Sequence, residues 1–266
     1  MRGLWRREAY VSYLTPAGKC LQIDFGKFVT PHGAEVIETK DNLNYSRVPL
    51  FTYAIPFYHF GLGASYAFND QYSLTGYAVN CWINIIDNNA GKTYGATLGW
   101  NPTKKWSFTQ NYMAGLEMPN DNSKWRQLSD TVVTYVATRK VSLTANYDDG
   151  RGDRRPNVAR PVMWTGVAGY VRYAFGERDA IATRLEYFDD RDGFATGTFF
   201  TNGTRQHFSE FTGAFERIVA EHLITRWEYR RDMSNHPVFY KGVSLTDAQN
   251  SVTAGLVYVC DRKEQQ

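Results

Sequence analysis

The sequence predicts an all-β chain folded as a transmembrane antiparallel up-and-down β-barrel with about thirteen strands visible, and three observations carry that expectation. Apolar and polar residues alternate with period 2 along nearly all of the 266 residues, so each run presents one apolar face. The connections between runs are short and long in turn, which is the layout of a membrane barrel with tight turns at one rim and loops at the other. Most runs reach about ten residues, enough to cross a bilayer at a tilt of about 45°, whereas soluble strands commonly have about five or six. A soluble Greek-key sandwich would not sort its connections so regularly.

Taken in order, the first two strands are expected near 8–14 and 20–28, joined by the turn residues TPAGK from Thr15. The next pair, 57–68 and 71–83, flanks Asn69-Asp70. Here Tyr58, Phe60, Leu62, Ala64, Tyr66 and Phe68 share one face, and His59, Gly61, Gly63, Ser65 and Ala67 share the other. In 71–83, Tyr77, Val79 and Cys81 fall on the side of Ser73 and Thr75; a bulge would restore the separation. Runs at 92–101 and 105–116 meet at NPTK, those at 127–138 and 140–148 at Thr138-Arg139, and those at 161–175 and 178–189 at GERD. The last hairpin, 206–219 and 221–232, turns at Ala220-Glu221, and a final strand covers 250–260.

Three runs show the division of faces clearly. Val141, Leu143, Ala145 and Tyr147 oppose Ser142, Thr144, Asn146 and Asp148; Ile181, Thr183, Leu185 and Tyr187 oppose Ala182, Arg184 and Glu186. Leu223, Thr225, Trp227 and Tyr229 oppose Ile224, Arg226, Glu228 and Arg230. The aromatic side is expected to meet outer-membrane lipid, with Tyr66, Phe68 and Phe175 forming a girdle beside short turns, and the other side to line a watery interior.

Composition agrees. Aromatic residues make up 15% of the chain, with 18 Tyr, 16 Phe and 7 Trp, and suit both sheets and membrane interfaces. No apolar run approaches the roughly 18 residues of a transmembrane helix. The mean hydropathy of −0.46 does not oppose a barrel, because only alternate residues touch lipid. A net charge of +3 without a basic stripe argues against a nucleic-acid partner. Cys20, Cys81 and Cys260 are too few and scattered for a disulfide framework or metal site, and read as small apolar strand residues. His32, His59, His207, His222 and His236 show no metal-ligand spacing, and neither a Gly-x-Ser-x-Gly elbow nor a phosphate loop occurs; no catalytic residue, metal or cofactor is expected, and the protein is not expected to be an enzyme.

The inward charges are the first candidate site. Arg172, Arg184, Arg226 and Arg230 alternate with Glu186, Glu210, Glu216 and Glu228 on neighbouring strands, so they can pair across the interior. Such residues either line the pore and sort ions or lock a narrow lumen together. The second candidate is the longest connection, 29–56, which carries His32, Glu35, Glu38, Lys40, Asp41 and Arg47 with a partly helical rhythm at AEVIETK. It either folds inward as a constriction loop or caps the surface.

At LQIDFGKFVTPHGAEVIETKDNLNYSR, residues 21–47, and in the LFTYAIPFYHFGLGASY and LTGYAVNCWINIIDNNAGKTYG segments that follow, the chain resembles the OmpL-like putative β-barrel porin family, putative beta-barrel porin-2, of bacterial outer membranes. DFGKFVTPHGAEVIE is the most specific of these motifs. The resemblance implies an outer-membrane porin and supplies no catalytic residues. The expected function is a passive diffusion channel for small hydrophilic solutes or ions, compatible with a homo-oligomer. The alternatives are a non-conducting barrel that binds a partner through its outer loops, and an outer-membrane enzyme. One domain is expected over 1–266. The amino terminus MRGLWRREAY has no apolar signal core, and an odd strand count leaves an edge unpaired. The chain is therefore expected to lack a signal peptide and at least one N-terminal strand of a barrel of fourteen or more.

Overall fold

The structure, a computed structural model, describes residues 8–16, 21–87, 89–118, 120–154, 161–197 and 205–259. Cys20, Cys260 and part of the TPAGK turn lie outside the described residues. The alternation sets the architecture: antiparallel strands hydrogen-bond in sequence order to make a single 13-stranded sheet. These strands are β1 (Ala9–Leu14), β2 (Gln22–Val29), β3 (Tyr58–Ala67), β4 (Tyr72–Val79), β5 (Thr93–Thr103), β6 (Trp106–Leu116) and β7 (Trp125–Val136). They continue through β8 (Val141–Arg154), β9 (Pro161–Ala174), β10 (Asp179–Asp190), β11 (Gln206–Ala220), β12 (Leu223–Ser234) and β15 (Ala248–Tyr258). Two short strands, β13 (Phe239–Lys241) and β14 (Ser244–Thr246), make a separate hairpin in the last long connection. Among the described residues no helix is long and apolar enough to cross a membrane.

Sequence parity and register place side chains as expected on most strands. On β10, Arg184 and Glu186 are buried inside while Leu185 between them is 64% exposed on the outside. The outer row near the tight turns is aromatic: Trp100, Phe108, Trp106 and Tyr135 stack in series at centroid separations of 4.9, 5.7 and 4.3 Å. Tight turns close by side-chain chemistry, as where Asn69 Oδ1 accepts the backbone N–H groups of Gln71 and Tyr72.

Three local expectations change. β4 carries no bulge; its ladders to β3 and β5 run in unbroken register. Tyr77 and Val79 face inward and are buried in an interior apolar cluster. Strand β8 runs six residues beyond the expected 148, because its ladder with β7 continues to Arg126↔Gly152. The β13–β14 hairpin is the third difference.

The core lies inside the barrel. Val48, Leu50, Ala54 and Ile55, from the long connection between β2 and β3, pack against inward residues that include Tyr77, Met113, Leu128, Val162, Trp164, Tyr170 and Phe188. Strands β1 and β15 run in the same direction, since an even number of antiparallel steps separates them, and each keeps one unpaired edge among the described residues.

Candidate functional site

The site is the loop of residues 30–57 together with the inner wall it lies on. At its root, Thr30 N–H donates to the Phe57 carbonyl at 3.2 Å. The chain then crosses to β6, β7 and β8. Asn111 Nδ2 donates to the Pro31 carbonyl at 3.1 Å, Gly33 N–H to Asp130 Oδ2 at 2.8 Å, and Ala34 N–H to Asn146 Oδ1 at 2.8 Å. His32 Nε2 lies 2.8 Å from the Tyr77 hydroxyl. Its Nδ1 is 3.9 Å from Asp130 Oδ2, but that carboxylate already accepts Gly33, Asn111 and Asn146 donors and has little left to hold a proton on the ring. Burial, followed by the neighbouring His59, lowers the His32 pKa to about 3.

The middle of the loop fastens to the far wall. Arg184 Nη1 donates to Glu35 Oε1 at 2.7 Å and to the Ser46 carbonyl at 2.9 Å, while its Nε and Nη2 donate to Glu210 at 3.1 and 3.2 Å. Glu35 also accepts Val48 N–H at 3.1 Å; burial raises its pKa against the opposing pull of Arg184. Glu228 accepts Tyr45 and Ser46 N–H groups, and Glu186 accepts Leu50 N–H at 2.8 Å. Arg226 donates to the Thr39 carbonyl at 2.6 Å and pairs with Glu216 at 2.7 Å; Arg230 donates to the Arg47 carbonyl and pairs with Asp232 at 2.6 Å. Trp164 Nε1 holds the Ala54 carbonyl at 3.1 Å near the loop's return.

AEVIETK does not form the expected helical turn; only Thr39–Asp41 makes a short 3-10 turn. The reason is competition for the backbone. Asn42 accepts Val36 N–H and donates to the Val36 and Glu38 carbonyls, and Arg47 donates to the Val36 and Ile37 carbonyls, so these groups are occupied by side chains instead of by helical bonds. Asp41 pairs with Lys40 at 2.9 Å on the solvent side.

All eight inward charges from the strands thus point into the interior, but seven sit in the network beneath or beside the loop. Arg172, with its side chain 33% exposed and paired to Glu216 at 3.1 Å, keeps the most solvent contact. Asn111, Asp130 and Asn146, which seat the first arm of the loop, were not singled out by residue type; their inward parity on β6, β7 and β8 is the available signal. Buried carboxylates and guanidiniums bonded in this way hold a loop in place. Among the described residues no group of three or more His, Cys, Asp or Glu is arranged to hold a metal ion.

The opposite wall, on β1–β5 towards the turn rim, is small and hydroxyl-rich. Ser65 and Thr75 share a hydrogen bond at 2.9 Å, and Thr97 donates to Asn111 at 2.6 Å. A Cβ added at Gly63 would meet nothing within 4 Å, so the loop leaves open space in front of this position.

The family model described as "Putative beta-barrel porin-2, OmpL-like" matches residues 3–259. No curated protein matches the sequence. Among solved structures, the in-vitro folded outer membrane protein OmpT of Vibrio cholerae is similar at 12% identity and a TM-score of 0.65, with 90% of this chain and 76% of that chain covered. The outer membrane channel DcaP of Acinetobacter baumannii is similar at 10% identity and a TM-score of 0.58, with 90% and 73% covered. At these identities the likeness is one of fold.

Proposed function

The chain belongs to the OmpL-like putative beta-barrel porin-2 family of bacterial outer-membrane porins, and from that premise we propose that it passes small hydrophilic solutes or ions passively through a lumen narrowed by the 30–57 loop. The observation that carries this reading is the asymmetry of the interior. One wall is covered by the docked loop, and the other carries small hydroxyl residues and has open space in front of Gly63. A polar, uncovered wall lets hydrated solutes pass without losing their water to an apolar surface. In this reading the buried charges Arg184, Glu186, Glu210, Arg226, Glu228 and Arg230 set the passage's width by fixing the loop, and Arg172 and Glu216 lie closest to the solute.

Purified, folded protein in a planar bilayer tests the proposal. Steps of uniform conductance are expected, and a variant lacking residues 36–46 should give larger steps. The density of bonds between loop and wall favours one rival, a barrel plugged in its resting state. Silence from folded wild type, with steps only from the loop-shortened variant, would establish that rival and overturn the open-channel reading.

A further inference from the structure

We propose that Asp24 gives this channel a preference for cations. The inference rests on the porin reading above and adds the residue that selects. The arginines on the β9–β12 wall are spent on carboxylates, Arg184 on Glu35 and Glu210, Arg172 and Arg226 on Glu216, Arg230 on Asp232, while Glu186 and Glu228 are buried beneath the loop on its backbone N–H groups. A guanidinium with a carboxylate at 2.6 to 3.1 Å projects little field into the passage.

The uncovered wall is different. Its inward positions towards the turn rim are neutral, as at Ser12, Ser65, Ser73, Thr75 and Thr97, with Asp24 as the carboxylate among them. No ion pair joins Asp24 to a described cation. Its carboxylate is instead oriented by neutral donors: Oδ1 accepts the Ser12 hydroxyl from β1, and Gln22 Nε2 lies 3.0 Å from both oxygens. The charge is therefore fixed in direction without being cancelled. Directly across the ladder stands Gly63, where a side chain would meet open space. A fixed, uncompensated carboxylate beside a narrow aqueous path between low-dielectric walls concentrates cations and excludes anions, as acidic rings do in cation channels.

The experiment is the reversal potential in a planar bilayer under a tenfold potassium chloride gradient. Wild type, Asp24→Asn and Gly63→Lys are compared, each shown to be folded by its heat-dependent mobility in detergent gels. Wild type is expected to reverse on the cation-selective side. Asp24→Asn, which keeps the shape and the Gln22 contact, should bring the cation-to-anion permeability ratio several-fold closer to one. Gly63→Lys, which sets an ammonium opposite an intact Asp24, should do the same by an independent route and keeps the test decisive if Asp24→Asn does not fold. A conducting variant of either kind with the wild-type reversal potential overturns the role of Asp24 and leaves the porin reading standing. Folded wild type that does not conduct overturns both.

Discussion

Replacing Arg184 with Met should release the loop. The substitution keeps a long, unbranched side chain and removes every guanidinium donor. Six bonds are lost: to Glu210 at 3.1 and 3.2 Å, to Glu35 at 2.7 Å, to the Ser46 carbonyl at 2.9 Å, and to the Ser46 and Thr212 hydroxyls at 3.1 Å each. Buried Glu35 then loses its ion pair, and buried Glu210 keeps only the longer one to Arg230 at 3.9 Å. Removing one partner of a buried ion pair typically costs about 3–5 kcal/mol, and each ~1.4 kcal/mol is a tenfold change in an equilibrium. The ratio of docked to released loop should therefore fall by about two to nearly four powers of ten. Trypsin reads this directly, because Lys40 and Arg47 lie in the loop and Arg47 is tied to the carbonyls of Val36, Ile37 and Tyr45 while it is docked. Cleavage there should be much faster in Arg184→Met than in wild type, and conductance steps should be larger and noisier. Adding Glu35→Gln to Arg184→Met removes one orphaned charge and should restore part of the protection. If Arg184→Met is cut no faster than wild type and conducts identically, the Arg184 network does not hold the loop.

Other outcomes follow from the same geometry. Leu185→Arg, on the outer face, should destabilise the barrel by about 2–4 kcal/mol if the site lies near the bilayer midplane, whereas Thr144→Lys, on the inner face, should cost less; equal urea midpoints in vesicles would contradict the assignment of faces. Gly150→Ala would bring a Cβ to 1.8 Å from the Trp164 ring and so move the indole that holds the Ala54 carbonyl; a cost of about 1–3 kcal/mol and faster proteolysis near residue 54 should follow, and unchanged tryptophan fluorescence and protection would refute it. The His32 pKa is lowered from 6.5 to about 3 by burial and then by His59, so the unfolded or released loop takes up the proton first. Docking is then at full strength above pH 6.5 and weakens as pH falls towards 3. Channel noise should rise over that window and do so less in His32→Gln; matching pH profiles would count against it.

Period 2 made the strands and their faces legible, because parity alone decides which side of β3 or β10 meets lipid. Parity does not reveal what covers an inward residue. Tyr77 and Val79 looked misplaced, and suggested a bulge, because the segment that buries them comes from residues 48–55, beyond the reach of a local pattern. Pairing was legible only in part. Arg226 does stand opposite Glu216, but Glu186 stands opposite Glu210 and Arg184 opposite Thr212, since register depends on turn lengths that alternation leaves open. The bond from Arg184 to Glu35 spans 149 residues, and nothing at either position marks the other. The helical rhythm of AEVIETK misled because Asn42 and Arg47, a few residues on, take the carbonyls a helix would use. The β13–β14 hairpin has strands of only three residues, too short for an alternating pattern to declare itself.

The loop leaves the wall between β2 and β3 and is fastened on β10, β11 and β12, so it spans the interior as a spoke spans a wheel. An ordinary barrel keeps its roundness through a ladder that runs unbroken around the circumference. Among the described residues β1 and β15 point the same way and each has one edge outside the ladder, and antiparallel bonding could bridge them only through an odd number of intervening strands. The chord formed by Glu35, Ser46 and Leu50 against Arg184, Glu228 and Glu186 adds to that ladder a direct tie across the section that resists its flattening. Severing the backbone between Asn42 and Tyr45, with every strand left intact, would then do more than widen the passage. It would let the wall ovalise, so that the bore and the rigidity of the vessel are set by one segment and must change together.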